Sequence, residues 1–196
     1  MRKTQGRPKS FDDHEVTTLA MHYFWEHGYD GSSLDGLLKA MQISKGSFYH
    51  LFKSKEALFA KTIELYRKEQ FGFLEELKKQ AGAKEMMMQL VQMALKELQE
   101  TGKIKGCLLM NSGKECYGRY PDLSTQIQKE YLTMQRFFAA SIAEAQASGE
   151  ISQKLDAEQI SMRFMNTLNG LILSVHAGAT KEMIDTIVEQ LRDILN

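Results

Sequence analysis

The chain reads as an all-α protein, and three observations predict it. Its only prolines are Pro8 and Pro121, so long stretches carry no helix breaker. The alternation of β-branched and polar residues expected of strands is missing. Apolar residues recur instead three and four positions apart, between capping residues and glycines. About nine helices and no sheet follow. A first helix carries Val16, Leu19, Ala20, Tyr23, Phe24 and His27 on or near one face and stops at Gly28, a residue suited to a helix C-terminus. Ser32 is the expected N-cap of a second helix, with Asp35 in its first turn and Leu34, Leu37, Leu38 and Met41 as its apolar stripe. Gln42-Ile43 is the turn, with Ile43 as the plug between the helices. Ser44 caps a third helix whose first turn holds Lys45, Gly46 and Ser47.

That third helix is the most informative segment. Phe48 and Phe52, four apart, share its inward face. Tyr49 and His50 point elsewhere, and Lys53 and Lys55 follow at the junction with the next helix. Free N–H groups and the positive dipole end at its start suit phosphate oxygens. Gly46 lowers helix stability and permits close approach of another backbone. Three short helices, the last two joined by a tight turn, fit a helix-turn-helix whose third helix enters the major groove.

Beyond Ser54 the chain is helix after helix. One spans Ser54 to about Gln80, with Leu58, Phe59, Ile63, Tyr66, Phe73 and Leu77 as apolar positions, ending near Gly82. Ala83–Thr101 is the next, and Cys107 to about Cys116 a short one. Pro121 suits the first turn of a helix that stops at Gly149. Asp156 and Gln159 have capping-box spacing and open another. Thr180 caps the last. No internal repeat or low-complexity segment interrupts this order.

Composition excludes several classes. At 196 residues the chain holds one small domain and a larger helical one. No apolar run is long enough to span a bilayer, and the polar, basic Met1–Ser10 is no signal peptide, so a cytoplasmic protein without a membrane partner is expected. Two cysteines do not make a disulfide scaffold. The formal net charge is zero, but Arg2, Lys3, Arg7 and Lys9 precede the first acid, Asp12. Through Glu56 eight Lys/Arg face seven Asp/Glu. The tail segment Gly6-Arg7-Pro8-Lys9 is expected to reach the minor groove or nearby phosphates. No phosphate-binding glycine loop, nucleophile elbow or HExxH is present, and His22 and His27 share no face, so no enzyme, cofactor or metal is expected.

The run Gly28-Tyr29-Asp30-Gly31-Ser32-Ser33-Leu34-Asp35, then Ile43 through His50 and Phe52-Lys53-Ser54-Lys55-Glu56-Ala57-Leu58, resembles the N-terminal domain of TetR-type transcriptional regulators. The likeness runs ungapped over roughly residues 11 to 60. Gln42 stands where the family usually has a turn glycine, Leu38 where it has a small residue, and Leu51 where a histidine commonly touches phosphate. The resemblance implies a basic tail (1–10), a helix-turn-helix domain (11–56) and a helical effector-binding and dimerisation domain (57–196). It implies that Lys45 and Gly46 lie nearest the base edges, that Tyr49, His50 and Lys55 reach phosphates, and that Ser32 and Ser47 add hydroxyl contacts. The physics agrees with that division, since lysine can donate to guanine O6 and N7 while helix-start groups fix register. The expected function is a homodimeric repressor on a palindromic double-stranded DNA operator, released by a small-molecule effector that is either an apolar or aromatic ligand or an electrophile. A helical adaptor or an activator is the alternative.

The last two helices are the expected dimer interface. Asn166, Gly170, Ser174 and Gly178 fall at four-residue intervals, flanked by Phe164, Leu171 and Val175, and the final helix adds Ile184, Ile187, Val188 and Leu191. An effector pocket is expected among Met86, Met93, Met110, Tyr131, Met134, Phe137, Phe138, Met162 and Met165, with Asn166, Asn169 and His176 as polar anchors, because methionines adapt to apolar and aromatic ligands. Cys107, at a helix start beside Lys103 and Lys105, is the candidate redox or electrophile sensor. On one helix Cys107 and Cys116 would face opposite ways, which argues against a disulfide between them.

Overall fold

A computed structural model describes residues 12–196; the basic segment 1–10 and its expected DNA contact lie outside the described residues. Among the described residues there are nine helices and no strand. They form two compact units, one ending at Leu65 and one beginning at Tyr66. The division falls inside one helix, α4 (Lys55–Ala81).

The first unit contains α1 (Asp13–Gly31), α2 (Leu34–Met41), α3 (Lys45–Phe52) and the first turns of α4. Asp12 caps α1 by accepting from the His14 N–H. Gly28 breaks α1 as expected, but at φ 72°, ψ 173°, after which a further short turn carries Tyr29 into the core. The core is aromatic: Phe24, Phe48, Phe52 and Phe59 are at most 2 % exposed. Burying each such side chain stabilises the unit by roughly 1.5–3 kcal/mol. Ile43 is buried between α2 and α3 as the plug the sequence predicts.

The second unit contains the rest of α4 with α5 (Ala83–Thr101), α6 (Leu108–Cys116), α7 (Pro121–Ala147), α8 (Ala157–His176) and α9 (Lys181–Ile194). Pro121 stands in the first turn of α7, and Asp156 and Thr180 cap α8 and α9 by accepting from the Gln159 and Met183 N–H groups. Helix α8 packs on both α7 and α9. The core joins Leu74, Met86, Met87, Met134, Phe138, Ile142, Phe164, Leu171 and Leu191. In the later turns of α4 Leu74 is buried, while its neighbour Phe73, predicted as an apolar position, is exposed. Two ion pairs tie α4 to α7 within this unit: Arg67 Nε to Glu130 Oε2 at 2.6 Å and Lys78 Nζ to Glu144 Oε2 at 3.1 Å.

Candidate nucleic-acid interface

The surface of α3 is built from its cap upward. Ser44 Oγ accepts from the Ser47 N–H at 3.1 Å and lies 2.9 Å from Ser47 Oγ, closing the first turn. Phe48 and Phe52 anchor the inward face. With that face fixed, Lys45, Gly46, Tyr49 and His50 are left exposed and Ser47 half-buried. Tyr49 is 48 % exposed, its ring edge-on to Phe48. Lys55, the first residue of α4, lays its ammonium 4.4 Å from the centroid of the Tyr29 ring. Among the described residues a Cβ on Gly46 would meet only Ser44 Oγ, at 3.8 Å, so none of them requires glycine there.

Ser32 is corrected on two counts. The N-cap of α2 is Ser33, whose Oγ accepts from the Gly36 N–H. Ser32 is fully buried and its hydroxyl donates to the Gly28 carbonyl, so it has no free hydroxyl to offer a phosphate. Two adjacent serines satisfy the same capping rule, and burial separates them. Gly36 was missed. A Cβ there would overlap the Tyr23 hydroxyl, so the glycine lets α1 lie close on α2. The available signal was a glycine inside a helix, where it costs about 1 kcal/mol unless packing requires it.

In the second unit the residues expected to line an effector pocket divide between core and surface. Met86, Met134, Phe138 and Met165 are packed in the core, with Tyr131 and Phe137 half-buried against it. Met93, Met110 and Met162 are exposed, as is Asn166. The Asn169 side-chain amide donates to its own helix at the Met165 carbonyl, and His176 Nε2 donates to the Ile104 carbonyl at 2.7 Å. Two clefts of about 280 and 440 Å³ are lined by residues such as Ile151, Leu155, Ile160 and Arg163, and Ala143 and Gln146. Helical spacing groups residues by face, but whether a neighbouring helix fills that face is a tertiary fact.

The expected dimer set divides in the same way. Phe164, Leu171, Val188 and Leu191 are buried within the chain and present no surface. Gly170, Ser174, Val175, Ile184 and Ile187 are half-buried. Gly178 lies in the turn beyond α8 at φ 87°, off the helical stripe. The outward residue the expectation passed over is Leu173, 62 % exposed, while Met183, on the apolar face expected of the final helix, is 53 % exposed.

Cys107 is the residue before α6 and half-buried, and among the described residues neither it nor Cys116 is in a disulfide. Its Sγ accepts from the Tyr66 hydroxyl at 3.7 Å. Burial pushes the Tyr66 phenol well above its ordinary pKa, and negative charge on Cys107 pushes it the same way. Tyr131 is raised by the same two causes in the same order. Both phenols are therefore neutral, Tyr66 in contact with the thiol and Tyr131 raised by its charge. Neither was singled out beside Cys107, because α4, α6 and α7 meet only in the fold. Among the described residues no group of His, Cys, Asp and Glu could hold a metal, and no helix is long and apolar enough to cross a membrane.

A helix-turn-helix unit followed by an all-helical unit defines the class as a DNA-binding regulator. Residues 16–62 match the family described as bacterial regulatory proteins, tetR family, and residues 83–191 match the tetracyclin repressor-like C-terminal domain. The chain belongs to the TetR family and is a DNA-binding transcriptional regulator, not an enzyme. It is 25% identical over 191 residues to the HTH-type transcriptional repressor ComR of Escherichia coli, covering 94% of this chain and 89% of ComR. The fold is similar to that of E. coli NemR in its reduced form, with TM-score 0.82, 19% identity, and 94% and 96% of the two chains covered. It is also similar to that of a cysteine mutant of CifR complexed with operator DNA, with TM-score 0.79, 24% identity, and 95% and 98% covered.

Proposed function

We propose that the protein is a homodimeric, cytoplasmic transcriptional repressor that binds a palindromic operator and releases it when Cys107 reacts with an electrophile. The observation that carries the DNA reading is α3 itself, whose polar and basic residues stand exposed on a helix locked by Phe48 and Phe52. Lys45 and Gly46 read base edges; Ser47, Tyr49, His50 and Lys55 hold the phosphate backbone. Repression is the mode of relatives such as ComR. Residues 11–56 serve as the DNA-binding domain and 57–196 as the effector and dimerisation domain.

Dimerisation uses the outward faces of α8 and α9, with Gly170, Ser174, Met183 and Ile187 toward the partner. A Cβ on Gly170 would meet nothing within 4 Å among the described residues beyond its own helix, so there is room at this position for a second chain's close approach. Between the two proposed effector classes, the geometry favours the electrophile. Met86, Met134, Phe138 and Met165 are packed core and Met93, Met110 and Met162 lie exposed, whereas the Cys107 Sγ accepts from the Tyr66 hydroxyl. Addition to an unsaturated carbonyl would join Cys107 Sγ to the β-carbon and place the proton on the α-carbon, with a phenol donating to the carbonyl oxygen. Release requires that the adduct favour the DNA-incompetent state, since equal stability of both states would shift nothing.

The test is binding to genomic fragments, then release by an unsaturated aldehyde from wild type and Cys107→Ser. Retention of DNA by Cys107→Ser under conditions that release wild type is expected. Equal release from both would exclude this thiol, and failure of wild type to retain any fragment would exclude the repressor reading.

A further inference from the structure

Tyr29 and Lys55 come from different helices and meet as a charge on a ring face. The Lys55 Nζ lies 4.4 Å from the ring centroid, within the range of cation–π attraction. The ring has little freedom. Tyr29 is 7 % exposed, and its ring lies 4.9 Å from Phe59 and stacks on Phe24 at 6.2 Å. Phe24 and Phe59 meet each other edge-on at 4.8 Å. The backbone break at Gly28 delivers Tyr29 to this cluster. The turn before Lys55 is equally fixed. Lys53 stands at φ 65°, the Ser54 N–H donates to the Phe52 carbonyl at 2.7 Å, and Ser54 Oγ accepts from the Ala57 N–H at 3.0 Å.

We propose that Tyr29 is a positioning residue for DNA binding, its ring face holding the Lys55 ammonium at the start of α4 for a backbone phosphate. This rests on the reading of Lys55 as a phosphate ligand. A lysine on a flexible four-carbon stem spreads its charge over many rotamers and must give up that freedom on binding. A ring that restrains it beforehand lowers that cost. The ammonium has three N–H donors, so a ring face and phosphate oxygens can be served together. The effective group is the ring face and not the phenol hydroxyl, because the face carries the negative end of the quadrupole.

Binding is measured by fluorescence anisotropy over a salt series, on a duplex selected by the full-length chain from a randomised pool. Wild type, Tyr29→Phe, Tyr29→Leu, Lys55→Ala and the double variant Tyr29→Leu/Lys55→Ala are compared, each checked by thermal unfolding. Tyr29→Phe should bind within about twofold of wild type, and Tyr29→Leu roughly three- to tenfold more weakly. The salt slope should fall for Tyr29→Leu, and in the Lys55→Ala background Tyr29→Leu should add nothing. Because Tyr29→Leu also removes a core ring, a series of phenylalanines of increasing ring fluorination at position 29 keeps the shape while draining the ring face. Affinity should fall stepwise along it. A flat series, or an equal loss from Tyr29→Leu with and without Lys55, would overturn the proposal. Unchanged affinity and slope in Lys55→Ala would instead remove Lys55 as a phosphate ligand, and the positioning role with it.

Discussion

Gln42 closes α2 in the left-handed region, at φ 55°, ψ 34°, while its N–H donates back to Leu38 and Lys39. A residue with a Cβ is held there at a cost of roughly 1–2 kcal/mol, which glycine avoids. Glycine also loses more chain entropy on folding, which takes back part of the gain. Gln42→Gly should therefore raise stability by about 0.5–1 kcal/mol, read as a higher urea midpoint with an unchanged slope. A lower midpoint would mean that the Gln42 side chain stabilises the turn. Much at this scale was legible in the sequence, because capping is local: Ser44, Asp156 and Thr180 accept the bonds their positions predict. The adjacent Ser32 and Ser33 were not separable, since only the packing of α1 on α2 decides which hydroxyl is buried.

At the scale of elements, α8 shows what periodicity reads and what it leaves open. Its apolar and small residues have helical spacing on every side, so spacing alone could not say which side meets α7 and α9. Phe164 and Leu171 turned out to face inward, and Gly170, Leu173 and Ser174 to lie partly or wholly open. The methionines of α5 divide likewise, with Met86 buried and Met93 exposed. Because Gly170 has open space around it in its own chain, Gly170→Leu should fold normally. Its side chain would wedge apart a close helix contact between two copies, giving a monomer by light scattering at unchanged helicity. A dimer of normal mass would take Gly170 out of the interface.

At the scale of the whole molecule, charge sets the demand on specific contacts. The chain has no net formal charge, and the first 56 residues carry only one more Lys/Arg than Asp/Glu. Non-specific attraction to DNA is therefore modest, and binding must come from a few placed groups. The family and the helix order were legible in the sequence because short-range motifs define both. The contact of Tyr66 with Cys107 was not, since it joins residues 41 positions apart in the chain.

The central claim is that α3 reads bases while the start of α4 holds phosphate. Its most direct test is equilibrium binding of wild type, Lys45→Ala and Lys55→Ala to the selected duplex and to a scrambled duplex over a salt series. Lys45→Ala should lose about 1–3 kcal/mol on the selected duplex and little on the scrambled one. Lys55→Ala should lose equally on both, with the salt slope reduced by about one. The same uniform loss from both substitutions would contradict the account.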